Sequence, residues 1–72
     1  MSDGVILFYT TSMAMKAEKA LVKAGYGVTL IPPPRQFSSD CGIAVRFAVS
    51  DRDAVVETLQ KNGVETAGIH EL

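Results

Sequence analysis

The stretch VILFYTTSMAMKAEKALVKAG, residues 5–25, decides the fold of this chain. It begins with VILFY, a short apolar run rich in β-branched and aromatic residues, which predicts a strand covered on both faces. Hydroxyl side chains at residues 10–12 then offer helix caps. Apolar residues recur at spacings of three and four through residues 12–24, and Gly25 is a typical C-terminal stop. The stretch therefore predicts a strand followed by a helix. The predicted buried face of the helix is Met13, Ala14, Ala17, Leu21 and Ala24.

Two further strands follow this helix. GVTLI, residues 27–31, is ended by Pro32, which cannot donate a hydrogen bond to a sheet. IAVRFAV, residues 43–49, alternates cleanly between two sets of side chains, which is typical of a strand with one face against a core. One set is Ile43, Val45, Phe47 and Val49, and the other is Ala44, Arg46 and Ala48.

A second helix is predicted over residues 51–62 and a last strand within residues 64–72. Ser50 followed by Asp53 resembles a capping box, with aspartate in place of the usual Glu or Gln. Gly63 then ends the helix. Its predicted buried face is Val55, Val56 and Leu59.

The element order is β-α-β-β-α-β with no room for a linker, so residues 1–72 are predicted to form one domain. This is the order of the ferredoxin-like fold, an α+β class with a four-stranded antiparallel sheet. Right-handed crossovers place both helices on one face of that sheet. Alternation assigns to the other face Ala44, Arg46 and Ala48, with either Val5, Leu7 and Tyr9 or Ile6, Phe8 and Thr10.

Either assignment leaves large apolar side chains on the open face of the sheet, which is the face away from the helices. Exposed apolar patches commonly mark partner surfaces. We therefore expect a homodimer, or a docking partner, on this face. The alternative is a scatter of apolar residues that needs no partner.

Composition bounds the function. Seven Lys+Arg against eight Asp+Glu give a net charge of -1, which favours neither nucleic acid nor an anionic membrane. No apolar run approaches the roughly 20 residues of a membrane helix. The single cysteine cannot form an internal disulfide, and without an export signal it predicts a reducing, cytoplasmic setting. His70 has only Glu71 nearby as a second ligand type, so no metal or cofactor site is expected.

The segment IPPPRQFSSDCG, residues 31–42, departs from these regular patterns. The prolines at 32–34 stiffen its start, either to hold a site or to end the second strand at a rigid edge. Ser38 and Ser39 could bind an oxyanion through their hydroxyls and neighbouring N–H groups. The segment is the best candidate for a site, since local rules tend to fail where function imposes its own.

Cys41 has two interpretations, a buried inert hydrophobe or an accessible thiol. Gly42 has no Cβ, so a partner could approach the sulfur closely. Positive charge favours the thiolate, and Arg35 or Arg46 could supply it. The adjacent carboxylate of Asp40 acts in the opposite direction.

Lys16, Lys19 and Lys23 form a stripe on the outer side of the first helix, which is either a solvated face or a docking surface. No Ser-His-Asp arrangement, P-loop or dinucleotide fingerprint is present. The acid/base candidates are too few for a self-contained enzyme of a familiar class.

FYTTSMAMKAEKAL, residues 8–21, and IPPPRQFSSDCGIAVRF, residues 31–47, resemble a family of small bacterial selenium/sulfur carrier-like proteins. The resemblance covers nearly the whole chain. Asp40 departs from it, because a small or uncharged residue is expected there. The most specific matching positions are Pro34, Arg35, Ser38, Ser39, Cys41 and Gly42.

The resemblance implies group transfer between proteins. Cys41 would accept sulfur or selenium from a donor protein as a persulfide or perselenide and pass it to an acceptor protein. Arg35 or Arg46 would stabilise the anionic sulfur, and the open sheet face or the lysine stripe would dock the partners. The alternative is a dimerising, non-catalytic binding or regulatory module with a ligand or anion site in residues 32–42. There Cys41 would only pack.

Overall fold

The computed structural model describes residues 2–33 and 42–72, and within them the predicted α+β, ferredoxin-like fold is confirmed. The elements are β1 (Asp3–Leu7), α1 (Thr11–Lys23), β2 (Thr29–Ile31), β3 (Ala44–Ala48), a 3₁₀ turn (Val49–Asp51), α2 (Arg52–Lys61) and β4 (Gly68–Glu71). The four strands form one sheet in the order β2-β3-β1-β4, and every neighbouring pair is antiparallel.

The main core lies between the sheet and the two helices. Ile6 of β1 and Phe8, the residue after β1, face the helices and have no exposed surface. Val45 and Phe47 of β3 pack with them. Gly4 belongs to the same row, and a Cβ there would lie 2.5 Å from Cζ of Phe47. The glycine therefore makes room for the aromatic ring, and alternation along β1 is fixed with its even-numbered residues toward the helices.

The open face of the sheet carries the odd-numbered residues of β1, which resolves the two assignments that the sequence allowed. Val5, Leu7 and Ala44 form a second cluster there, with Ile31 of β2 packed against it. The expectation that this face exposes large apolar side chains is wrong for β1, because Val5 is 0% exposed and Leu7 is 6% exposed within one chain. Tyr9 lies beyond the end of the strand and is exposed.

Helix α1 follows the predicted pattern closely. Its N-cap is Thr10, whose Oγ1 accepts a hydrogen bond from the Met13 N–H at 3.1 Å. Gly25 follows its last turn with φ +95°, the left-handed conformation that favours glycine. Ala24 is the exposed C-cap rather than a core residue, and Met13 is half-buried. The buried residues are Ala14, Ala17 and Leu21.

Helix α2 starts differently from its prediction. The chain enters it through the 3₁₀ turn, and neither N-cap residue, Ala48 or Asp51, makes a side-chain cap hydrogen bond. The predicted capping box at Ser50 is therefore wrong. Val55 and Leu59 are buried as expected, whereas Val56 is only half-buried. Neither helix is long and apolar enough to cross a membrane, a finding that covers residues 2–33 and 42–72.

Candidate functional site

The candidate site lies in the connection between β2 and β3. Four of its predicted residues, Arg35, Ser38, Ser39 and Cys41, lie outside the described residues, and so does Asp40. Gly42 and Arg46 are described. The site is therefore built here from the strand ends and the helix end that surround the connection.

The strand register places the start of β3 at one end of the sheet. Ala44, the first residue of β3, is paired with Ile31 on one side and with Leu7 on the other, and Leu7 is paired with Gly68 of β4. Cys41 precedes Ala44 by three residues in the sequence.

Gly42 leaves space next to the thiol-bearing residue. It is exposed, and no atom of the described residues, apart from its chain neighbours, lies within 4 Å of the point where a Cβ would stand. Among the described residues, nothing therefore occupies the position of a side chain at residue 42.

Arg46 lies on the open face and is held by Asp3. Its Nε donates to Oδ2 of Asp3 at 2.9 Å, and its Nη2 donates to the same oxygen. A guanidinium has five N–H donors, so three remain for another anion. The arginine side chain is 52% exposed, which keeps these donors in contact with solvent. Arg46 is thus a positioned cation whose charge is partly balanced by Asp3.

The N-terminus of α1 lies at the same end of the sheet as the start of β3. The helix begins four residues after Leu7, the residue paired with Ala44. Its first turn contains no acidic residue. A helix N-terminus carries partial positive charge and favours a thiolate nearby. The β-α-β-β-α-β order already implies this placement, because a helix that follows β1 starts at the end of the sheet where the antiparallel β3 begins.

A cleft of about 370 Å³ lies at the opposite end of β3. It is lined by Ser2, Asp3, Ala48, Val49 and Ser50. Because residues 43–47 separate its lining residue Ala48 from Gly42, this cleft is distinct from the β2–β3 connection. No group of three or more His, Cys, Asp or Glu side chains suited to a metal ion occurs in the part of the chain that the structure describes.

Comparison with known proteins identifies the family. A family model described as "Putative Se/S carrier protein-like" matches residues 3–71. The chain belongs to this family. Both segments that carry the resemblance in the sequence, residues 8–21 and 31–47, lie inside the matched range, so the resemblance is confirmed.

One curated relative of this Se/S carrier-like chain is an uncharacterised protein of Methanocaldococcus jannaschii. The two are 27% identical over 62 residues, which cover 86% of this chain and 31% of the relative. The chain therefore spans about a third of the length of the curated relative that it matches. No solved structure matches the chain.

Proposed function

We propose that this protein carries sulfur or selenium on Cys41 as a persulfide or perselenide and delivers it to an acceptor protein. The observation that carries the proposal is family membership over residues 3–71, a range that contains the only cysteine of the chain. A carrier needs one accessible thiol and partner surfaces, and no acid/base machinery of its own. The cytoplasm, where thiols stay reduced, is the compartment in which such a thiol would persist.

The transfer consists of two thiol exchange steps. In the first, the Cys41 thiolate attacks the terminal sulfur of a persulfide on the donor protein. A new S–S bond forms on Cys41, the donor's S–S bond breaks, and the donor leaves as a thiolate. In the second, a nucleophilic thiolate of the acceptor attacks the terminal sulfur on Cys41, which leaves as a thiolate. The sulfur moves without net oxidation, and selenium would follow the same balance through an S–Se bond.

The surroundings of the connection support this chemistry. The absence of described atoms within 4 Å of a Cβ placed on Gly42, chain neighbours apart, favours the approach of a second thiol. The N-terminus of α1 favours negative charge at this end of the sheet. The guanidinium of Arg46, in contrast, is held on the open face by Asp3, which lines the cleft at the opposite end of β3. Arg35, Ser38 and Ser39 complete the proposed binding set, with Arg35 as a cation and the serines as oxyanion donors.

Mass spectrometry of the intact protein tests the proposal. The protein is incubated with a cysteine desulfurase and cysteine, and a known sulfur carrier is loaded in a parallel sample. We expect a gain of one sulfur atom on the wild-type protein and none on Cys41→Ser. If the known carrier is loaded and the wild-type protein is not, the alternative of a binding module with a site in residues 32–42 is favoured.

Access to the thiol is tested separately. Alkylation of Cys41 in the folded protein should proceed at a rate close to that of the same protein in denaturant. A thiol that reacts only after unfolding would identify Cys41 as a packing residue.

The homodimer through the open sheet face stays a prediction. The burial of Val5 and Leu7 within one chain weakens the argument from apolar exposure on which it was based. Sedimentation velocity across a concentration series checks it, since a species that keeps the monomer mass at every concentration would contradict a dimer.

A further inference from the structure

The outward face of α1 carries two large apolar side chains where a surface helix normally carries polar ones. Met15 is 48% exposed and Val22 is 55% exposed. At about 100° per residue, Met15 and Val22 lie within about 20° of each other around the helix axis. Both point away from Ala17, which is fully buried. The core of the fold therefore does not account for these two residues.

Three lysines lie along one side of this apolar pair, and Glu18 lies on the other side. Lys19 lies between Met15 and Val22 along the helix, and its aliphatic stem can join them into one surface. Lys16 and Lys23 lie on the same side as Lys19. We refer to the five residues Met15, Lys16, Lys19, Val22 and Lys23 as the α1 outer face.

The charge of this face is not balanced locally. Helix α1 contains three lysines and one acidic residue, Glu18, a net charge of +2, whereas the whole chain has -1. The residues outside α1 therefore sum to -3. Lys19 and Lys23 are four residues apart, a spacing at which like charges destabilise a helix. None of the three lysines forms an ion pair within the described parts of the chain.

We propose that the α1 outer face docks the donor or acceptor protein through a surface with an apolar centre and an acidic rim. Unbalanced lysines beside an apolar pair are complementary to such a surface in charge and in hydrophobicity. This inference names the partner surface of the proposed carrier and rests on that proposal for what is transferred.

Two other occupants fit less well. A second copy of this chain, packed by two-fold symmetry on the same face, would bring three lysines against three lysines, and like charges across an interface oppose association. Nucleic acid is bound through phosphate contacts by basic residues. Exposed Met15 and Val22 contribute nothing to such contacts, and the net charge of the chain is negative.

The position of the face suits transfer. Helix α1 has 13 residues and is therefore about 20 Å long. Its N-terminal end lies at the end of the sheet where β3 begins, three residues after Cys41. A protein seated along the α1 outer face would thus cover one flank of the end of the sheet to which Cys41 is tethered.

Binding can be measured without any sulfur chemistry. The Cys41→Ser protein, labelled with ¹⁵N, is titrated with an amphipathic peptide of glutamate and leucine, with its glutamine counterpart, and with a short DNA duplex. We expect the acidic peptide to shift the amide signals of residues 15–23, and its affinity to fall as salt screens the charges. The glutamine peptide should bind at least about fivefold more weakly, since the charge attraction is lost.

Two charge reversals provide a matched comparison. Lys19→Glu should weaken binding of the acidic peptide by about tenfold or more, while Arg52→Glu on α2, with the same change of charge, should change it by less than about twofold. Val22→Gln should weaken binding without altering its salt dependence, because it removes apolar contact and no charge.

Three results would overturn the docking surface. They are equal effects of Lys19→Glu and Arg52→Glu, no shift in residues 15–23 with the acidic peptide, and tighter binding of the DNA duplex than of the peptide. None of these results decides whether a desulfurase loads Cys41. Conversely, a failure of loading leaves the peptide titration intact, so the two proposals fail separately.

Discussion

Helices α1 and α2 have the same role in the fold but different surfaces. Each crosses from one strand to a parallel one and buries one side against the sheet, with Leu21 and Leu59 as the largest buried side chains. Helix α1 begins at a side-chain cap, whereas α2 begins from a 3₁₀ turn without one. The sides of the two helices that face the sheet thus have the same role. The outer side of α1 differs, because it carries exposed apolar side chains and lysines that the fold does not require.

The outer charges show the difference most directly. In α2, Glu57 precedes Lys61 by four residues, and Nζ of the lysine lies 3.1 Å from Oε1 of the glutamate. In α1, the corresponding spacing joins two lysines, Lys19 and Lys23. One helix has a charge arrangement that stabilises it, and the other has one that costs stability. Such a cost is expected where a surface serves binding.

The largest expected effect tests the equivalence of the inner faces. Leu21→Ala and Leu59→Ala should each lower the free energy of unfolding by about 2–5 kcal/mol, because each removes a fully buried side chain and leaves a cavity. Urea denaturation measures both. Val22→Ala is the matched control on α1 and should cost less than about 1 kcal/mol. A loss confined to one helix would show that the two do not share the core equally.

A smaller effect tests the helix starts. Thr10→Ala should lower the free energy of unfolding by about 1 kcal/mol, because it removes the hydroxyl that accepts from the Met13 N–H. Ser50→Ala should change it by less than about 0.5 kcal/mol, since no side-chain cap starts α2. Thermal unfolding of the two variants in the same buffer provides the measurement. Equal losses of stability in the two variants would indicate that Ser50 caps α2, in contradiction to the structure.

The smallest effect tests the outer charges, and it has opposite signs in the two helices. Lys19→Glu should raise the free energy of unfolding by about 0.5 kcal/mol, because it replaces repulsion with Lys23 by an i,i+4 attraction. Lys61→Glu should lower it by a similar amount, because it places two carboxylates at that spacing. The comparison is made in urea at low ionic strength and repeated at high salt, where both effects should shrink. Shifts of the same sign would contradict it.

Lys19→Glu also allows the free energy of unfolding and the binding of the acidic peptide to be compared in one variant. A variant that unfolds less readily but binds an acidic peptide more weakly cannot owe its weaker binding to a damaged fold. This combination would identify Lys19 as a residue kept for a partner at the expense of stability.

The fold could be predicted because its signals are local and periodic. VILFY has no polar position, and Val5 to Phe8 are buried on both faces of the sheet. Gly25 and Gly63 end the helices with positive φ. The ends of the strands are harder to predict, because a strand ends where its pairing ends and not where the apolar pattern of the sequence stops. Residues 27–28 continue the apolar pattern of β2, yet only Thr29–Ile31 are paired with β3.

Two expectations differ from the structure for physical reasons. Alternation identifies which residues share a face of the sheet but not whether the chain covers that face, so only the unbroken apolar run VILFY indicates the burial of Val5 and Leu7. The prediction of a capping box is wrong because the chain forms a 3₁₀ turn directly after β3, and Ser50 lies within that turn. The connection that contains Cys41 has no period, so its chemistry is inferred from residue types and family membership.

Ala44 has a further consequence for how a partner meets the thiol. It has no exposed surface and is paired with a strand on each side. Amide hydrogens of such interior strands exchange with solvent only through large openings, whereas those of frayed edges exchange through small ones. The segment that bears Cys41 is therefore attached to a part of the sheet that opens rarely. A force applied to the chain before Ala44 would therefore be resisted by hydrogen-bonded pairing on both sides of β3.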